Sequence, residues 1–248
     1  MPPLRRHNAR VRPLDAIFFD IDDTLFSTST FAEQARQAAV QAMLAAGLRS
    51  DAETCTRELR EVITEFSSNY GSHFDKVLDR LGVDSYTGHN RAVIVAAGVV
   101  AYHDTKWSQL HAQPDVFEVL QWLAATNLVR GIISAGITIK QAEKVVRLGV
   151  LPFLTPYALF FTDQVGFSKP NPKLYRRVLQ QMRLQPQHCL YVGDNPTHDI
   201  DPCNREGWVT ARIRRGGRLS QEEGETKATY EIQDFYQLRD LLKADFGL

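Results

Sequence analysis

Net charge is the first thing this chain lacks: its 29 Lys and Arg residues balance 29 Asp and Glu. No global field draws in a nucleic-acid polymer or an anionic membrane surface. Long apolar runs are missing too, and none approaches the length of a membrane span. Cysteine is sparse and odd in number; Cys55, Cys189 and Cys203 stand far apart with no paired metal spacing. That usage argues against a disulfide framework and fits a reducing compartment, so a cytoplasmic location is expected. The first thirteen residues include Arg5, Arg6, His7, Arg10 and Arg12 but no apolar stretch. A solvated extension is expected there rather than a secretory signal. Repeats and low-complexity segments are absent as well.

What is present is 248 residues, enough to bury a substantial core as one large domain or a domain with an insertion. The most informative stretch is Asp20-Ile21-Asp22-Asp23-Thr24, directly after the apolar run Ala16–Phe19. Four apolar, mostly β-favouring residues read as a buried strand. Three carboxylates at its end repel one another, which calls for a cation. If the backbone stays extended, Asp20 and Asp22 share a face. One can then attack while the other handles protons, an arrangement suited to metal-assisted chemistry on a phosphate.

From residue 27 to 106 the apolar spacing is helical throughout. Phe31, Ala35, Ala38, Ala39, Ala42, Met43 and Ala46 mark a first helix that Gly47 stops. Asp51 can cap a second, with Leu59, Val62, Ile63 and Phe66. Phe74, Val77, Leu78 and Leu81 mark a third ending at Gly82, and residues 92–102 a fourth. Such a block reads as a self-contained bundle. After Pro114 strands and helices alternate. Strands are expected at 128–133, 158–161, 189–192, 208–213 and 229–232; helices are expected at 116–125, 139–148, Pro172–Met182 and 235–244. Residues 216–224 form a polar, glycine-containing loop. The fold class is therefore α/β, a Rossmann-like parallel sheet with helices on both faces. Residues 1–26 and 108–248 form the catalytic core, and 27–107 a helical domain inserted after the first strand.

In open α/β sheets ligands bind where strands end at their carboxyl side. Three strands end there in polar residues: Asp20, Ser134, and Gly193-Asp194. Lys169 precedes Pro170-Asn171-Pro172, where Asn171 can cap a helix whose first turn holds Pro172. Together these residues resemble the haloacid dehalogenase superfamily of hydrolases. Its four motifs stand here as Asp20-Ile21-Asp22-Asp23-Thr24-Leu25, Ile132-Ile133-Ser134-Ala135-Gly136, Lys169-Pro170-Asn171-Pro172, and Gly193-Asp194-Asn195 through Asp199. The resemblance runs from Leu14 to the final helix. A helical cap directly after the first motif is similar to the subgroup of sugar-phosphate and phosphoglycolate phosphatases.

The resemblance implies that Asp20 is the nucleophile, forming an aspartyl-phosphate. It implies that Asp22 protonates the leaving alcohol and later takes a proton from water. Magnesium (Mg2+) would be the cofactor, held by Asp20, Asp194 and the backbone carbonyl of Asp22. Ser134 would donate to a phosphoryl oxygen, with backbone N–H groups near Ala135-Gly136. Lys169 would add a fixed positive charge, with Asp199 orienting it or a metal-bound water, or else serving at a helix start. Thr24 would bind phosphate or support the turn, and Asn195 would act behind the metal ligands. Many relatives have Asn where Ala135 stands, so leaving-group contacts are expected to differ.

The implied function is Mg2+-dependent hydrolysis of a small phosphorylated metabolite, with the cap excluding bulk water. The alternatives are a phosphomutase acting on a sugar phosphate and, last, a non-catalytic binding protein. Dehalogenation itself is disfavoured by Asp22 and Asp194. A monomer or a homodimer fits equally. In the cap, His73 and Tyr70 are substrate-contact or packing residues, and Lys106 and Trp107 hinge or specificity candidates. His188 and His198 are expected to be solvated or packed, and Cys189 a small buried hydrophobe.

Overall fold

The computed structural model describes residues 11–67, 70–217 and 219–248, apart from the side chains of residues 29, 30, 107 and 109. The basic N-terminal stretch through Arg10 and the side chain of Trp107 therefore lie outside the described residues. The chain divides into two compact units, Met1–Thr28 with His111–Leu248, and Ser29–Leu110.

The first unit is built on a six-stranded parallel sheet of order β3-β2-β1-β4-β5-β6. Its strands are β1 (Ala16–Phe19), β2 (Val129–Ser134), β3 (Leu159–Phe161), β4 (Cys189–Gly193), β5 (Val209–Ile213) and β6 (Tyr230–Ile232). β1 is central, pairing in parallel register with β2 through Phe19↔Ile132 and with β4 through Phe19↔Val192. Its four residues are buried because both faces are covered. Successive side chains take opposite faces. Phe18 meets Phe160 and Trp208 in the cluster that holds Leu174, Tyr175 and Val178 of α8 (Pro172–Met182). Phe19 stacks instead on Phe235 of α10 (Phe235–Phe246), at 5.7 Å between ring centroids.

The second unit contains α1 (Thr28–Ala45), α2 (Ala52–Phe66), α3 (His73–Leu81) and α4 (Arg91–Gln109). Val40, Met43, Cys55, Leu59, Val62, Val77, Leu78 and Ile94 make its core. Asp51 caps α2 by accepting from Thr54 N at 2.7 Å, as its position predicts. α4 runs seven residues past the expected end at Tyr102, since polar His103, Asp104 and Thr105 interrupt the apolar pattern without breaking the helix. Among the described residues no helix is long and apolar enough to cross a membrane.

Back in the first unit, α5 (Pro114–Ala124), α6 (Thr138–Arg147), α7 (Thr162–Val165) and α9 (Asp201–Arg205) complete the helices between strands. Among the described residues, the 214–229 connection between β5 and β6 has no helix. Side chains clamp it instead: Arg212 donates to the carbonyls of Leu219 and Glu222, and Asp201 accepts from the N–H groups of Glu225 and Thr226.

Candidate active site

Every strand that carries a motif delivers it at the same edge of the sheet. β1 ends into Asp20, whose N–H still donates to Val192 O at 2.9 Å. Beyond it the backbone does not stay extended. Leu25 N donates to Ile21 O at 2.9 Å, Asp22 bridges to Phe26, and Asp23 has φ 51°. The chain therefore coils tightly, and Asp20 and Asp22 do not share a face through strand alternation. A short carboxylate side chain tolerates the left-handed position at Asp23. Thr28 closes the loop, with its N–H donating to Asp23 Oδ1 at 2.8 Å and its hydroxyl to Asp22 Oδ1 at 3.0 Å.

Lys169 sits 3% exposed between two carboxylates, 2.7 Å from Asp20 Oδ1 and 2.7 Å from Asp199 Oδ1. Its third acceptor is the Tyr191 hydroxyl, also at 2.7 Å, which in turn donates to Ile133 O at 2.9 Å. An ammonium has three protons to give, and here all three have partners. Burial works against the charge of Lys169, but Asp199 and then Asp20 hold its pKa above the ordinary lysine value. Burial raises Asp20; Lys169 opposes that shift, while Asp199 and Asp22 add to it.

Asp194 follows the end of β4 and is pushed up to about 8, first by burial and then by the charges of Asp199, Asp20 and Asp23. Gly193 makes the approach possible: a Cβ there would stand 2.4 Å from Asp199 Oδ2. Oxygens of Asp20, Asp194 and Asp199 all lie within 4.8 Å of one another. Hard oxygen donors crowded in a poorly solvated place fit a divalent cation such as Mg2+. Asp22 entered the metal expectation through its backbone carbonyl; its carboxylate is engaged by Lys144, 2.7 Å from both oxygens.

Ser134 is fully buried at the end of β2, its hydroxyl donating to Gln141 Oε1 at 3.4 Å. The Gly136 N–H, expected to face a phosphate, donates to Thr162 Oγ1 at 3.1 Å. Thr24 is fully buried, and its hydroxyl has no hydrogen-bond partner among the described residues. Asn195 caps the helical turn that follows it, accepting from Thr197 N and His198 N, while its own N–H donates to Asp199 Oδ2. His188 pairs with Asp15 at 3.0 Å, and Cys189 is buried with its thiol pushed up to about 12 by burial. Tyr70 and His73 pack edge to face, with His73 Nε2 2.8 Å from Ser67 O.

Lys144, Tyr191 and Thr28 escaped the sequence reading. Tyr191 reads as one more apolar strand residue, and Lys144 as a solvated helix charge. Only the fold brings Lys144 to a partner 122 positions away.

The haloacid dehalogenase-like hydrolase profile matches residues 14–207. The chain belongs to that family. A glyceraldehyde 3-phosphate phosphatase of Methanopyrus kandleri is 39% identical over 224 residues, covering 90% of this chain and 92% of the relative. The protein of the same name from Pyrococcus furiosus is 35% identical, covering 96% of each. Among solved structures, the HAD-hydrolase YfnB of Bacillus subtilis covers 93% of this chain at 18% identity and TM-score 0.65, itself 99% covered. That likeness concerns the fold. With its relatives named phosphatases, the chain is a phosphatase-type hydrolase of the superfamily.

Proposed function

We propose that the chain is a Mg2+-dependent phosphatase of small sugar phosphates, with a three-carbon ester such as glyceraldehyde 3-phosphate the first to test. The observation that supports it most is Asp20, fixed by Lys169 within reach of two further carboxylates. The names of relatives that match over nearly their whole length support the substrate class. Three buried free cysteines support a reducing, cytoplasmic setting. The helical unit, with 27–107 as its expected extent, is the proposed source of substrate selection.

In this reading a carboxylate oxygen of Asp20 attacks phosphorus and the ester P–O bond breaks, leaving an aspartyl-phosphate and an alkoxide. Asp22, which takes up a proton on leaving its pair with Lys144, gives that proton to the alkoxide. Water then attacks the phosphoryl group while Asp22 takes a proton back, releasing inorganic phosphate and restoring Asp20. Ser134 donates its hydroxyl to a phosphoryl oxygen, giving up its long bond to Gln141. Lys169 keeps a positive charge beside the reacting oxygens, where water is scarce and the charge acts strongly. Asp20, Asp194 and the Asp22 carbonyl would hold Mg2+, which when bound offsets the repulsion between carboxylate and phosphate.

The test is phosphate release from a panel of esters, with and without Mg2+, beside Asp20→Asn. Metal-dependent release that vanishes in the variant is expected. Release that persists in Asp20→Asn would remove the nucleophile from the account.

A further inference from the structure

The acid of the proposed reaction is not at liberty in this structure. Lys144 donates to Asp22 Oδ1 and Oδ2, both at 2.7 Å, and Thr28 adds a hydroxyl to Oδ1 at 3.0 Å. Lys144 comes from α6, the helix that follows Ser134. Its side chain is 16% exposed, and its ammonium lies 5.9 Å from the Phe26 ring. One turn along, Arg147 pairs with Glu143 of its own helix at 2.8 Å.

To protonate a leaving oxygen, Asp22 must carry a proton, which its pair with Lys144 opposes, and turn a carboxyl oxygen towards the alcohol. Each oxygen is at present the acceptor of a charge-assisted bond. Drawing Asp22 away strips the ammonium of a side chain only 16% exposed of two such bonds, and a partly buried charge with fewer acceptors is disfavoured. The move becomes easy when a replacement acceptor arrives. The alcohol portion of the substrate arrives at this place, because Asp22 is the group that hands it a proton.

Resting on the phosphatase reading above, we propose that Lys144 is a specificity-determining residue which exchanges Asp22 for an acceptor oxygen on the leaving alcohol. The substrate class is narrowed accordingly. Phosphomonoesters bearing a hydroxyl, carbonyl or carboxylate oxygen close to the ester oxygen are favoured over esters of plain alkyl alcohols. A hydrocarbon alcohol offers the ammonium no replacement acceptor, so Asp22 is released less readily.

The experiment compares kcat and KM for ethyl phosphate, glycerol 3-phosphate and 3-phosphoglycerate in wild type, Lys144→Met and Lys144→Arg, with melting curves for each. Lys144→Gln replaces the methionine variant should that one fail to fold. In wild type, kcat/KM for the two acceptor-bearing esters exceeds that for ethyl phosphate by on the order of ten- to a hundredfold, the range of one charge-assisted hydrogen bond. In Lys144→Met the ratio collapses towards unity, and Lys144→Arg restores part of it. Equal ratios in wild type overturn the proposal. So does a variant that slows all three esters by one common factor, for then Lys144 only positions Asp22. Wild type inactive on these esters and on p-nitrophenyl phosphate would overturn the phosphatase reading itself, and this inference with it.

Discussion

In the helical unit Arg80 reaches Glu65 at 2.5 Å and Glu61 at 3.6 Å, both carboxylates more than half exposed. In the α/β unit Lys169 reaches Asp20 and Asp199 at 2.7 Å, and none of the three side chains is more than 11% exposed. The geometries are similar and the consequences are not. Arg80 can trade its partners for water, so its pairs are nearly neutral for stability. Lys169 has no water to fall back on, and each carboxylate around it needs the ammonium or a metal. A fold keeps such a strained group of charges where chemistry needs it, which makes the burial of like charges more telling than their number.

The largest effect is expected of Lys169→Met, which keeps the length and removes the charge. Loss of one preorganised cation at a phosphoryl site is expected to lower kcat by roughly 10²–10³-fold. A variant within tenfold of wild type would mean that the buried ammonium serves packing alone. A subtler change is Tyr191→Phe, which deletes one acceptor of Lys169 and leaves the ring among Tyr175 and Trp208. About a tenfold fall in kcat is expected with KM little altered, the worth of one hydrogen bond to a charged group. A fall in KM and kcat together, or none in either, would separate Tyr191 from the aim of Lys169.

The acidic cluster also sets a pH dependence. Asp194 is raised to about 8 by burial first and then by Asp199, Asp20 and Asp23; in an unfolded chain an aspartate titrates near about 3.9. The folded protein thus holds a proton that the unfolded chain releases. That contribution to stability is whole below about pH 4 and is lost as pH rises through about 8. A metal-free sample should show this as a falling melting temperature, while the stabilisation added by Mg2+ grows, since cation and proton compete for the same oxygens. Stabilisation by Mg2+ that is flat across this range would detach Asp194 from the cation. At the small end, Arg80→Ala should change unfolding free energy by no more than about 1 kcal/mol in a denaturant titration. A larger loss would show that the surface network is cooperative.

The sheet was legible because β1 and β4 are short apolar runs that stop abruptly at Asp20 and at Gly193-Asp194, a pattern that survives without any knowledge of partners. The helix Pro172–Met182 was readable to the residue, since Asn171 and Pro172 mark its start chemically. A shared face for Asp20 and Asp22 depended on an extended backbone, and the chain after Asp20 does not stay extended. Strand propensity says nothing about the 3.0 Å Thr28–Asp22 contact or the left-handed Asp23 that coil the loop. Lys144 and Tyr191 were illegible for a deeper reason. Their partners lie 122 and 22 positions away along the chain, so their roles exist only once the parallel sheet is assembled.

In the proposed reaction Asp20 becomes transiently phosphorylated. The most direct measurement is borohydride quenching of the protein turning over a small phosphate ester with Mg2+, followed by peptide mass analysis. Reduction of the acyl phosphate to a homoserine at position 20, absent without substrate and absent in Asp20→Asn, is the predicted result. Reduction at another aspartate, or turnover with no reduced residue at all, would show that Asp20 is not the nucleophile.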